Sequence, residues 1–66
     1  MELSDYWHSL PLAEKERFAK DCGVSKGHMS NVVYGFRKAS AELAIKIEKR
    51  SRGLVRREKV APHVEW

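Results

Sequence analysis

Lys15-Glu16-Arg17-Phe18-Ala19-Lys20-Asp21-Cys22-Gly23-Val24-Ser25-Lys26-Gly27-His28-Met29-Ser30-Asn31-Val32-Val33-Tyr34 is the stretch that decides the fold. Phe18, Ala19 and Cys22 share one side of a helix. Gly23 stops that helix, because glycine accepts the left-handed conformation that a tight exit needs. Ser25 caps a following helix, whose inward side is Met29, Val32 and Val33. Gly35 ends it. Ala19 precedes Gly23 by four residues, and its small side chain lets the two helices approach closely. Val24 adds an apolar contact in the connection. The turn is too short for two side-by-side antiparallel helices, so residues 15–34 predict a helix–turn–helix whose second helix projects outward.

Upstream, Leu3, Tyr6, Trp7 and Leu10 recur at helical spacing and predict a short amphipathic helix over residues 3–9. Ser4 or a neighbour can cap its start. Pro11 fits the first turn of the next helix, where Leu12 continues the apolar pattern. Downstream, Ser40 opens a fourth helix with Leu43, Ala44, Ile47 and Ala41 inward, and Gly53 ends it. Glu42 and Lys46 form an i,i+4 pair on its outer side. Residues 54–66 are ambiguous. Val55 to Val60 reads as a helical turn or a strand, Pro62 extends the residues after it, and Trp66 is expected to fold back onto the chain. The fold class expected is all-α: one domain over residues 1–66, a compact bundle of about five short helices with a tail that is extended or β.

The 66 residues suffice for one small core and leave little scaffold for a catalytic cleft, so no enzyme activity is expected. Charged residues make up 33% and hydrophobic residues 42%, the balance of a globular domain. No apolar run approaches the roughly 20 residues that span a bilayer. The acidic start, Met1-Glu2-Leu3-Ser4-Asp5, lacks the basic and apolar regions of a signal peptide, and a cytoplasmic location in a bacterial host is expected. The single cysteine, Cys22, excludes an internal disulfide and falls on the buried stripe, as a small core residue rather than a nucleophile. His8, His28 and His63 are scattered, so no metal site and no cofactor are expected. Glu14 and Glu16 lack a third group that would make an acid–base site.

The net charge of +4 favours a polyanionic partner. With the apolar positions removed, the outward side of the third helix consists of Lys26, Gly27, Ser30, Asn31 and Tyr34. Lys26 can donate to guanine O6 and N7, Asn31 can pair bidentately with adenine, and Ser30 can serve a base or a phosphate. Gly27 allows close approach. These are the expected base contacts of a helix lying in a DNA major groove. Lys15, Ser25, Arg37 and Lys38 flank that helix and are the expected phosphate contacts, which position without reading sequence. The run Lys49, Arg50, Arg52, Arg56, Arg57 is read as a solvated face, with a second phosphate patch or a partner surface as alternatives.

Phe18-Ala19-Lys20-Asp21-Cys22-Gly23-Val24-Ser25 followed by Met29-Ser30 resembles the lambda-repressor-like helix-turn-helix proteins. Glu42-Leu43-Ala44, Ile47-Glu48, Gly53 with a following valine, and Pro62 shortly before Trp66 resemble the small phage Cro repressors and the prophage YdaS-like regulators. The resemblance covers nearly the whole chain. It implies a five-helix domain that binds a near-palindromic double-stranded operator as a homodimer and represses phage or prophage promoters. By position, Lys26, Gly27, Ser30 and Asn31 match the base-facing side, and Lys15, Arg37 and Lys38 match backbone-contacting positions. Two residues depart from the pattern: Lys26 stands where glutamine is common, and Arg56 where a threonine often caps the last helix.

Two other functions are expected to compete. One is an antitoxin-type module whose tail, around Val60, Val64 and Trp66, grips a toxin-like protein. The other is RNA binding, which the few ungrouped aromatic residues disfavour.

Overall fold

The computed structural model describes residues 1–66 and consists of five helices. These are α1 (Leu3–Ser9), α2 (Leu12–Asp21), α3 (Lys26–Val33), α4 (Ala41–Arg50) and α5 (Arg57–Val60). There is no strand, so the all-α bundle expected from the periodicity is the architecture found. The β alternative for the tail gives way to one helical turn, α5, followed by a turn and an irregular end. No helix is long and apolar enough to cross a membrane.

One core joins every helix except the short α5, whose Val60 packs against it from the edge. Phe18 is its pivot. Its ring centroid lies 5.3 Å from that of Tyr6 and 6.3 Å from that of Trp7, in tilted geometry that favours aromatic pairs. Met29 of α3, Ile47 of α4 and Val55 of the α4–α5 connection are fully buried beside it. Ala19, Ala44 and Ala61 are fully buried too, where larger side chains would hold the elements apart. Cys22 belongs to the same cluster. Burial, its largest influence, pushes the thiol up to about 11, which leaves it protonated and inert at neutral pH.

The helix ends follow backbone physics closely. Ser25 Oγ accepts from the His28 N–H at 3.0 Å, and Ser40 Oγ accepts from the Leu43 N–H at 3.1 Å. The first helix differs from expectation: Ser4 lies inside it, and Glu2 takes the cap position without a side-chain bond. Pro11 stands just ahead of α2, where its missing N–H costs nothing. Three helices end in the same paired reversal. After α2, Gly23 N–H returns to Lys20 O and Val24 N–H to Ala19 O. After α3, Gly35 N–H returns to Val32 O and Phe36 N–H to Asn31 O. After α4, two successive residues are left-handed, Arg52 with φ 56° and Gly53 with φ 80°, so the reversal begins one residue before the glycine expected to end the helix.

The basic run also differs in part from the solvated face expected. Arg50 Nε donates to Asp21 Oδ2 at 2.8 Å, which ties α4 to the end of α2. Arg57 donates twice to Glu48 Oε1, and its backbone N–H donates to Glu48 Oε2 at 3.0 Å. Glu48 thus caps α5 from α4, in place of the missing side-chain cap at Arg56. Ser51, the buried polar residue, accepts from Val55 N–H and donates to Glu48 O, so its hydroxyl is satisfied.

Candidate nucleic-acid interface

α3 is anchored on one side only. Met29 and Val32 are buried and Val33 is half-buried. At 3.6 residues per turn, Lys26, Gly27, Ser30, Asn31 and Tyr34 occupy the opposite arc. Lys26, Gly27, Asn31 and Tyr34 are exposed and Ser30 is half-buried at the margin. Lys26, Ser30 and Asn31 make no side-chain hydrogen bond or ion pair within the protein. Their donors and acceptors therefore face solvent uncommitted. Gly27 has helical geometry and open space above it: an added Cβ would meet nothing closer than Ser25 Oγ at 4.0 Å.

Tyr34 ends the helix and is 54% exposed, yet its hydroxyl is engaged. His8 Nε2 of α1 lies 3.0 Å from it, and the two rings meet edge-on at 5.7 Å. Tyr34 thus stands on the same arc as the other four but is tied back to α1.

The expected phosphate contacts divide into two kinds. Arg37 and Lys38 are exposed in the loop that leaves α3 and form no ion pair. The Arg37 N–H and the Phe36 N–H both donate to Asn31 O, which pins this loop to the third helix. Lys15 and Ser25 are already used inside the fold. The Lys15 ammonium sits 5.7 Å from the Trp7 ring centroid, a cation–π contact, and Ser25 Oγ serves as the cap. Ser25 keeps its hydroxyl hydrogen free to donate.

Two features escape the residue-by-residue reading. No Asp or Glu stands between Asp21 and Glu42, so the turn, α3 and its exit loop carry Lys26, Arg37 and Lys38 with no carboxylate among them. A scan for acid-free windows would have found it. The other is Phe36, 82% exposed between Gly35 and Arg37. An aromatic residue after a helix-ending glycine is its only sequence signal.

By contrast, Val60 and Val64 of the tail pack against the core, and Trp66 Nε1 donates to Ala61 O at 3.0 Å. The indole remains 46% exposed, with the Arg57 guanidinium 5.6 Å from its ring. His8, His28, His63 and Cys22 belong to no cluster of three metal-binding side chains.

No protein-family model and no curated protein matches this chain. The geometry of α3 is therefore what bears on function.

Proposed function

We propose that the protein is a sequence-specific double-stranded DNA-binding regulator, a Cro-like repressor that occupies a near-palindromic operator as a homodimer. α3 is the recognition helix. Lys26, Gly27, Ser30 and Asn31 meet base edges in the major groove, with Tyr34 at the far end of the same arc. Arg37 and Lys38 hold the backbone beyond the helix, and Lys15 and Ser25 hold it on the other side. The observation that carries this reading is the outer face of α3: uncommitted polar side chains on a capped, core-anchored helix, within an acid-free stretch.

A helix of eight residues reads few base pairs, so useful affinity calls for two half-sites. Two such helices would lie about 34–36 Å apart, one turn of DNA. Leu54 and Trp66 in the 54–66 region and Phe36 beside α3 are large exposed apolar side chains that a second copy can cover. Bound protein would exclude polymerase from an overlapping promoter.

Selection of binding sites from a randomised duplex library by the purified protein tests the proposal. A recurrent motif with two related half-sites supports it. Recovered duplexes with no shared motif would refute sequence-specific recognition.

A further inference from the structure

We infer that His8 controls the direction in which the Tyr34 hydroxyl donates, so that Tyr34 reaches a DNA phosphate only when His8 takes up a proton. The inference rests on the DNA-binding reading above, takes Tyr34 as a phosphate contact rather than the base contact expected from its place on the arc, and adds His8, a residue of α1, as a positioning residue for that contact.

The hydrogen bonds dictate the logic. His8 Nδ1 lies 2.7 Å from Ser4 O, and a carbonyl oxygen only accepts, so Nδ1 carries hydrogen. In the neutral ring Nε2 then has none and is an acceptor. Its partner at 3.0 Å is Tyr34 Oη, so the Tyr34 hydroxyl hydrogen points inward to the imidazole. DNA phosphates offer acceptors only, and a tyrosine in this state has no hydrogen left for them.

One proton from solvent reverses the arrangement. Bound at Nε2, it makes the ring a donor at both nitrogens. Nε2–H then donates to Tyr34 Oη, and the Tyr34 O–H turns outward to a phosphate oxygen. No proton leaves the protein, and the new positive charge lies one hydrogen bond from the new anionic partner, where charge-assisted bonds are strong.

The surroundings favour coupling to an external anion. His8 forms no ion pair with a protein carboxylate, although Asp5 stands one turn earlier on α1. Tyr34 faces it from α3. From α2, Lys15 lies over the ring of the neighbouring Trp7. Lys26, Arg37 and Lys38 add positive charge on α3 and its exit loop. A phosphate beside Tyr34 Oη favours the arrangement in which that hydroxyl points outward, which is the arrangement with His8 protonated, so phosphate binding and proton uptake promote each other.

A fluorescein-labelled duplex of mixed sequence serves as the probe, since a phosphate contact does not depend on sequence. Anisotropy titrations at constant ionic strength run from about pH 8 down to about pH 6, the range in which an ordinary imidazole charges. The wild-type Kd is expected to tighten about three- to tenfold for each protomer bound; one linked proton per protomer limits each protomer's share of the slope to about tenfold per pH unit. His8→Gln and Tyr34→Phe should each flatten most of that dependence, and the double variant should lose no more than either single one. His28→Gln should keep it. Circular dichroism checks that the variants are folded. Binding that is equally pH-dependent in the His8 and Tyr34 variants would overturn the inference and leave DNA binding intact. Loss in His8→Gln but not in Tyr34→Phe would overturn it too, because His8 would then act by its charge alone. No binding by any form at any pH would refute the DNA-binding reading itself.

Discussion

Glu48 accepts three hydrogen bonds from Arg57: one at Oε2 from its backbone N–H, and two at Oε1 from Nε and Nη2 at 3.0 and 2.8 Å. A single carboxylate thereby caps α5 and fixes its first side chain. The four-residue α5 has no side-chain cap of its own, and an isolated turn of that length does not persist in water. Glu48, together with the buried Val55 and Ala61 on either side of α5, holds the C-terminal segment against the fold as a helix.

The Arg57 side chain, its largest influence, and then the Arg57 N–H hold the Glu48 carboxyl below the usual carboxylate range. A carboxyl with a lowered folded pKa stabilises the fold above its unfolded value. That contribution is lost as pH falls from there through the folded value. Glu48→Gln is therefore expected to lower the thermal midpoint by several degrees at pH 7 and to differ less from wild type as pH drops below about 4. Thermal unfolding followed by circular dichroism at the two pH values measures it. An unchanged gap would show that the Glu48 charge does not act through Arg57.

Arg52 and Gly35 make opposite tests of the helix exits. Arg52 holds φ 56°, a conformation that costs an L-residue about 1–2 kcal/mol, so Arg52→Gly should raise stability by about 0.5–1 kcal/mol. Gly35 has φ 81° with open space around it, so Gly35→Ala should lower stability by about 1–2 kcal/mol through the backbone alone. Urea unfolding of both variants checks the signs.

Asn31 reads a base in the proposed complex. Asn31→Ala should relax preference at one position of each half-site by about 1–3 kcal/mol and leave the other positions unchanged. Competition binding against single-base variants of the selected operator measures this. A uniform loss across all variants would make Asn31 a positioning residue.

Arg37 meets a phosphate in the proposed complex. Arg37→Ala should weaken every duplex alike and reduce the log–log salt slope by about 1 per protomer. A change confined to one base position would assign it to readout.

Much of the fold was legible because backbone rules dominate it. Gly23, Gly35, Ser25 and Ser40 act where local conformational preference alone puts them, and the apolar spacing of α1 to α4 matches the buried side chains except at Leu12, which starts α2 at the molecule's edge and is 62% exposed. Ser4 lies two residues past the cap position at Glu2, because a serine near a helix start satisfies the capping preference on paper whether or not the helix begins before it. Arg52 was missed because glycine is the usual left-handed residue and Gly53 stood next to it. The basic run was misread in part because Arg50 and Arg57 find partners 29 and nine residues away, Asp21 and Glu48, and no local pattern announces such pairs. At the candidate interface, the exposed arc of α3 followed from its period. The hydrogen bond from Tyr34 to His8 did not, because it depends on how α1 docks against α3.

The most direct test of the central claim is fluorescence anisotropy with the library-selected operator and a shuffled duplex of equal composition, across a salt series. Tight binding that prefers the operator is expected, with a log–log salt slope of about −7 if a dimer neutralises about eight phosphates. Equal, weak binding of both duplexes would contradict it.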